Sequence, residues 1–352
     1  MKNSIKIMLG SMLAAVAMCV VSCSEWNEPK NLEIKTPSLE ERDPALWAEY
    51  LAALQAYKSS AHKLVFVTVN NPVNAPAVNR AEHLTVLPDS VDYIVLNNPD
   101  NLHADFVKEF DEVRKKSTKV LYAFSYETFN ADWLAMARED SSLTEEQHLE
   151  YITACTEEAL TLCEKYNYDG LIFAYTGVSP LSIPASQREA AVALQNAYFA
   201  PIASWKASHK GKSISFMGRA DFVLEEVAGS VFGQCDYVMV DTDNATNESD
   251  VAVSCAKALD SSAVPSDRIV VTVLEVQPDD NNQTFGWFGT QDANGNKLRA
   301  LPYVAQWVAS TSPNYTRAGL VIKNVQPDYY NVTKIYPHLR EAISIMNPSP
   351  KN

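Results

Sequence analysis

Four carboxylates lie within three residues of the end of an apolar, strand-like run in this chain: Glu127, Asp241, Asp243 and Glu275. In a parallel α/β sheet or barrel, side chains at the carboxyl ends of strands face the ligand-binding side. Two carboxyl groups there could act as general acid and base on a glycosidic bond, or could accept hydrogen bonds from sugar hydroxyl groups. The first role requires separations of about 5 to 9.5 Å between the two carboxyl groups, which only a folded site can set.

The elements that must position these residues are apolar runs alternating with helical patterns. The eight runs are 64–69, 93–96, 120–124, 171–175, 214–217, 237–240, 269–274 and 320–322. Apolar strands joined by helices are typical of a parallel sheet covered on both faces. Eight such units predict a single-domain (β/α)₈ TIM barrel. No glycine-rich phosphate loop follows the first run, which removes the main dinucleotide-binding alternative.

Helix starts carry their own signals. Thr144 with Gln147, and Ser186 with Glu189, have the spacing of capping boxes. An aspartate followed by proline opens a predicted helix over residues 43–60.

The first 22 residues predict a secretion signal. Lys2 and Lys6 precede an apolar run, 8–21, that is too short for a membrane-spanning helix. Its end, Val20-Val21-Ser22-Cys23, resembles the lipobox of bacterial lipoproteins, and cleavage there would leave Cys23 acylated. The acidic residues within 24–28 resemble the tract that sends lipoproteins of the Bacteroides group to the cell surface. We expect a lipid-anchored outer-membrane protein, with a polar tether at 23–42 and a barrel at 43–347.

The charge balance limits the choice of partner. The formal net charge is −14, and loss of the two lysines in the signal moves it to about −16. This argues against nucleic acid and anionic lipid as direct ligands. It is compatible with a neutral glycan, and equally with an ordinary acidic surface.

The cysteines and histidines predict neither a metal site nor a cofactor. Cys155 and Cys163 lie about 12 Å apart along one predicted helix, which is too far for a disulfide. A bridge between Cys235 and Cys255 stays open.

Sugar binding needs flat apolar surfaces beside planar polar groups, and the predicted rim is rich in both. Trp287 lies in a glycine-flanked loop of the insert 277–300, where exposure is expected, and Asn294-Gly295 predicts a turn there. The predicted glycan contacts are Tyr126, Glu127, Tyr175, Asp241, Asp243, Asn244, Trp287, Asn324 and Gln326. For several of the aromatic residues, Tyr175 among them, packing in the barrel core is the alternative.

The segment Tyr168-Asp169-Gly170-Leu171-Ile172-Phe173-Ala174-Tyr175-Thr176 resembles strand four of glycoside hydrolase family 18, whose signature reads Asp-x-x-Asp-x-Asp-x-Glu. Asp169 fits the first acidic position, and Ile172, Ala174 and Thr176 stand at the other three. Residues 56–63 and 319–330 are similar to endo-β-N-acetylglucosaminidases of gut Bacteroides.

In that family the final Glu protonates the leaving oxygen, and the Asp two residues before it orients the substrate's N-acetyl group, which is the nucleophile. Thr176 and Ala174 can do neither. The resemblance therefore implies a non-catalytic protein that binds N-acetylglucosamine-containing host glycans, N-glycans among them. It would serve neighbouring enzymes, a TonB-dependent porter and a SusD-like protein. Two alternatives stay open: a hydrolase with a relocated acid, Glu127 or Glu275, and a structural subunit of an uptake complex without glycan contact.

Overall fold

A computed structural model describes residues 37–277 and 283–349. The predicted signal, Cys23 and most of the predicted tether lie outside the described residues. The chain divides into two units, residues 1–49 and residues 50–352. Within the first unit, helix α1 (Leu39–Arg42) begins with a capping box formed by Ser38 and Glu41. Helix α2 (Pro44–Ser59) follows, and the Asp43 carboxylate accepts from the Leu46 amide at 3.0 Å.

Eight parallel strands close into a barrel, which confirms the predicted fold. The strands are β1 (Leu64–Val69), β2 (Tyr93–Leu96), β3 (Lys119–Ser125), β4 (Gly170–Tyr175), β5 (Ser213–Gly218), β6 (Tyr237–Val240), β7 (Ile269–Leu274) and β10 (Arg317–Lys323). Each pairs in parallel with the next, and β1 pairs with β10 to complete the circle. Every predicted apolar run lies within one of these strands.

Helices cover the outside of the barrel. They are α3 (Ala104–Lys115), α4 (Tyr126–Glu139), α5 (Glu145–Lys165), α6 (Arg188–Ser208), α7 (Glu225–Phe232), α8 (Glu248–Ala258), α9 (Ala300–Ala309) and α10 (Pro337–Met346).

The capping predictions had different outcomes. The Thr144 box is confirmed, with the Gln147 amide donating to Thr144 Oγ1 at 3.3 Å. The Ser186 box is wrong, because Pro184 opens a 3₁₀ turn that leads directly into α6 and leaves no extended N-cap residue.

Strand alternation divides the core into two layers. Inside the barrel, side chains such as Phe66, Tyr93, Ile172 and Met239 pack against one another. The intervening strand residues pack against the helices in a larger outer layer. On β4 this places Ile172 and Ala174 toward the barrel axis, and the odd-numbered residues toward the helices.

Three aspartates link neighbouring strands at the amino end of the barrel. Asp92, Asp169 and Asp236 each stand immediately before an even-numbered strand. Each accepts a hydrogen bond from an amide of the preceding strand: Val65 to Asp92 at 2.9 Å, Val120 to Asp169 at 2.8 Å, and Ile214 to Asp236 at 2.9 Å. A carboxylate that satisfies a strand amide in this way helps to fix strand pairing.

The long insert after β7 forms an antiparallel hairpin, β8 (Trp287–Gln291) with β9 (Lys297–Arg299). The predicted turn is present, and Gly295 adopts φ +83 within it. The Gly289 amide donates to the Thr246 carbonyl at 2.9 Å, which ties the hairpin to the loop after β6. Residues 278–282 of the insert lie outside the described residues.

All four cysteines of the described ranges are free, so the bridge left open between Cys235 and Cys255 is not formed. Of the helices that the structure describes, none has the length and apolar character needed to cross a membrane.

Candidate functional site

The strand-four segment carries its one carboxylate at the wrong end for catalysis. Ile172 and Ala174 face the barrel axis, and Thr176 follows at the carboxyl end. Asp169 lies before the amino end of the strand, where its carboxylate accepts from the Val120 amide at 2.8 Å and from Arg114 Nε at 3.0 Å. The acid retained in this segment therefore holds strands together and does not reach the rim.

Glu127 is one of the two predicted candidates for a relocated acid, but both of its oxygens are engaged. Oε1 accepts from the backbone amides of Thr176 at 2.5 Å and Gly177 at 2.8 Å. Oε2 accepts from the Ser125 hydroxyl at 2.9 Å. The carboxylate is thus an anchor that joins the first turn of α4 to the loop after β4.

Glu275 was predicted to face the cleft, and this is wrong. Strand alternation turns it toward the helices, where only 1% of the residue is exposed. Its Oε1 lies 2.8 Å from His338 Nδ1, which is also 3.0 Å from Asp328 Oδ1. Burial raises the pKa of Glu275. Burial alone would lower the pKa of His338, but its hydrogen bonds to the two carboxylates outweigh burial and raise it to about 9.

Glu275, Asp328 and His338 are close enough together to ligate a metal ion. Asp328 already accepts the backbone amides of His338 and Leu339 at the start of α10. With its pKa raised to about 9, the protonated His338 ring already supplies the positive charge between the two carboxylates. We therefore interpret the three residues as a buried ion-pair triad that fastens α10 to the barrel.

A polar cluster forms where β6, β7 and β10 end. Asp243 Oδ2 lies 2.6 Å from Lys323 Nζ, and its Oδ1 accepts from the Thr272 hydroxyl at 2.7 Å. Asp241 Oδ1 accepts the Asp243 amide at 3.1 Å. Asp241, Asp243 and Lys323 are half-buried, while Asn244 is exposed beside them. The predicted residues of strand six therefore come together on the rim, held by an ion pair that fixes their orientation.

Lys323 and Thr272 are members of this cluster that the sequence prediction missed. Lys323 is two residues after Val321, which faces the barrel axis, so the period of two along β10 could have placed it on the rim.

Two predicted residues follow β10. Asn324 has φ +60, a conformation that Asn tolerates better than most residues, and its amide donates to Thr68 Oγ1 at 2.9 Å. The Gln326 side-chain oxygen and nitrogen are buried and have no hydrogen-bond partner among the described residues.

Tyr126 and Tyr175 do not form the open stacking surfaces that were expected. They are 7% and 4% exposed, and their rings lie 5.1 Å apart. Tyr175 points to the helices because its neighbours Ala174 and Thr176 take the opposite side of the strand. Its hydroxyl accepts from Gln195 Nε2 at 2.7 Å. For Tyr126 the predicted rim exposure is therefore corrected, and for Tyr175 the alternative of core packing applies, since both rings mainly pack in the outer core layer.

A groove of about 960 Å³ lies above these rings, between the loop after β4 and the first turns of α4, α5 and α6. Its polar lining includes Glu127, Asn130, Glu145, Glu146, Gln187 and Glu189. Apart from Glu127, none of these is among the predicted glycan contacts, because the groove is built from helix starts and not from strand ends.

Trp287 is half-buried on β8 and lies on the opposite face of the strand from Phe288. Phe288 is buried and packs on Tyr303, with 5.6 Å between the two ring centroids. Lys297 Nζ lies 5.8 Å from the centre of the Trp287 ring. The neighbouring Phe285 is 47% exposed. The hairpin thus holds an indole ring with a cation beside it, although Trp287 is less open than the glycine-flanked sequence predicted.

The closed parallel barrel and its polar rim define a (β/α)₈ TIM-barrel protein. The family model for glycoside hydrolase family 18, BT1044-like, matches residues 27–345, and the chain belongs to this family.

Among solved structures, a selenomethionine variant of BT1044 is 16% identical, with 88% of this chain and 95% of that chain covered and a TM-score of 0.62. A chitinase from Bacteroides thetaiotaomicron is 11% identical, covering 82% of this chain and 97% of that chain, with a TM-score of 0.48. A family 18 chitinase from Pseudoalteromonas aurantia is 12% identical, covering 75% and 95%, with a TM-score of 0.47. No curated protein matches the sequence. At 16% identity the likeness to the BT1044 structure supports the shared fold alone.

Proposed function

We propose that this protein is a non-catalytic member of family 18 that captures N-acetylglucosamine-containing host glycans, N-glycans among them. The observation that carries the proposal is the carboxyl end of β4. Ala174 and Thr176 stand there in place of the acids that orient and protonate the substrate. A threonine hydroxyl does not release a proton near neutral pH, and an alanine methyl group cannot orient an acetamide.

The positions of the other carboxylates support this reading over a relocated acid. Glu127 accepts two hydrogen bonds from the loop after β4 and a third from the Ser125 hydroxyl. Glu275 lies in the outer layer, away from the barrel axis. Asp243 is paired with Lys323. A general acid must present a proton to the leaving oxygen, and each of these three carboxylates already has a structural partner.

Features suited to binding remain without the catalytic acids. The rim offers the Trp287 indole, the fixed Asp243–Lys323 pair and the exposed Asn244 amide. Sugar rings stack on aromatic faces, and their hydroxyl groups pair with carboxylates and amides. Binding and turnover therefore separate: losing the proton donor stops hydrolysis and leaves these contacts available.

Calorimetric titration of the purified protein with a biantennary N-glycan tests the proposal, with an α-glucan of similar length as the control ligand. We expect saturable binding of the N-glycan and no binding of the glucan, which lacks N-acetylglucosamine. Absence of N-glycan binding would refute the proposal and favour a structural subunit.

We further propose that the protein is displayed on the cell surface through acylated Cys23 and delivers glycan to neighbouring enzymes, a SusD-like protein and a TonB-dependent porter. The lipobox-like segment and the acidic residues that follow it support this placement. External protease should remove the protein from intact cells, and Cys23→Ala should release it from the membrane fraction. Full protection from protease would contradict surface display.

A further inference from the structure

The groove beside β4 is a second candidate binding region. We propose that it binds uncharged sugar residues of the captured glycan and disfavours residues that carry a sialic acid carboxylate or a sulfate. This inference rests on the proposed glycan-binding function and specifies which glycans the protein prefers.

The groove has the size and chemistry of a ligand site. About 960 Å³ falls within the range of small-molecule pockets, and the groove opens on the same side of the barrel as the strand ends. Leu149, Val178 and Ile183 supply apolar surface, while Asn130 and Gln187 supply amides. This mixture suits a sugar, whose ring has apolar C–H faces and a polar edge.

One wall of the groove is firmly held. Gly177 has φ +35, and a Cβ at this position would come within 2.2 Å of the Tyr175 ring. The same glycine donates its amide to Glu127 at 2.8 Å. The loop after β4 is therefore packed on the ring below and bonded to α4, which makes this side of the groove preformed and not dependent on ligand for its shape.

The groove is negative. Glu127, Glu145, Glu146 and Glu189 line it, and among the described lining residues there is neither lysine nor arginine. Arg188 is adjacent in sequence to the lining residues Gln187 and Glu189, but its guanidinium donates two hydrogen bonds to the Glu226 carboxylate, at 3.0 and 2.9 Å.

The first turns of α4, α5 and α6 offset part of this negative charge. Glu145 and Glu146 are exposed in the first turn of α5 and line the groove, so their charges act on a ligand that enters it. An anionic sugar would meet like charge, whereas hydroxyl groups would find carboxylate acceptors.

The test compares two double variants on one helix. Glu145→Gln with Glu146→Gln removes two charges from the groove, and Glu157→Gln with Glu158→Gln removes two exposed charges outside it. Each full-length protein is titrated with a biantennary N-glycan in its sialylated and desialylated forms. Repulsion between the sialic acid carboxylates and two or three exposed glutamates should make the parent bind the sialylated form on the order of fivefold more weakly than the desialylated form.

The difference should shrink toward zero in the Glu145/Glu146 variant and persist in the Glu157/Glu158 variant. It should also shrink in 1 M salt, where the Debye length is about 3 Å. Equal affinity of the parent for the two forms, or an unchanged preference in the groove variant, would overturn this inference alone. Failure to bind either form would instead refute the glycan-binding function on which it rests.

Discussion

Replacing Asp169 tests whether the retained acid of the strand-four segment is structural. Asp169→Ala removes the acceptor of the Val120 amide and of Arg114 Nε. Hydrogen bonds to charged groups contribute about 1.5–3 kcal/mol each. The side chains of Arg114 and Asp169 are 24% and 23% exposed, so water screens their ion pair. We therefore assign this ion pair a contribution of about 1 kcal/mol to the free energy of unfolding. With about 2 kcal/mol for the strand amide, the loss is about 3 kcal/mol.

This loss should lower Tm by roughly 5 °C in a chain of this size. Asp169→Asn keeps an acceptor for Val120 and should cost about 1 kcal/mol. Asp236→Ala, which removes the equivalent acceptor for the Ile214 amide, is the matched control and should also destabilise. Urea unfolding and glycan titration are measured on each variant, with affinity expected to be unchanged below Tm. Loss of glycan binding at unchanged stability would refute the structural role, because it would place Asp169 in the binding site.

Three further predictions follow from single positions. Trp287→Ala should weaken N-glycan affinity by about 1–3 kcal/mol, by analogy with base stacking, and leave urea unfolding nearly unchanged; unchanged affinity would exclude the hairpin as a contact. Gly177→Ala should destabilise by at least about 1 kcal/mol, because a side chain at φ +35 is strained and meets the Tyr175 ring, and a wild-type Tm would contradict this packing. The carboxylates raise the pKa of His338 to about 9, so the folded state binds the extra proton. The stability that this adds is complete below the ordinary value of 6.5 and is lost as pH rises through about 9, whereas His338→Gln should flatten this slope.

The barrel could be predicted because each strand is an unbroken apolar run, and all eight runs lie within observed strands. The orientation of individual side chains was harder. Tyr175 and Glu275 both lie at strand ends. An error of one residue in the predicted strand alternation there turns a side chain from the barrel axis to the helix layer. For Tyr175 the signal was present: if Ala174 and Thr176 share the inner side, their neighbour must take the outer one.

Other features depend on contacts that are distant in sequence. The ion pair of Asp243 with Lys323 joins residues 80 positions apart, and the anchoring of Thr176 by Glu127 spans 49. Neither pairing leaves a local pattern. The groove likewise arises from three helix starts and one loop that only the closed barrel brings together.

The central claim is binding without cleavage, and one measurement tests it directly. A fluorescently labelled biantennary N-glycan is incubated at length with an excess of the purified protein, and the bound fraction is analysed by mass spectrometry. The account predicts that the glycan is retained at its full mass, because Ala174 and Thr176 supply neither the orienting nor the protonating carboxylate. Release of a glycan cut between its two core N-acetylglucosamine residues would contradict it.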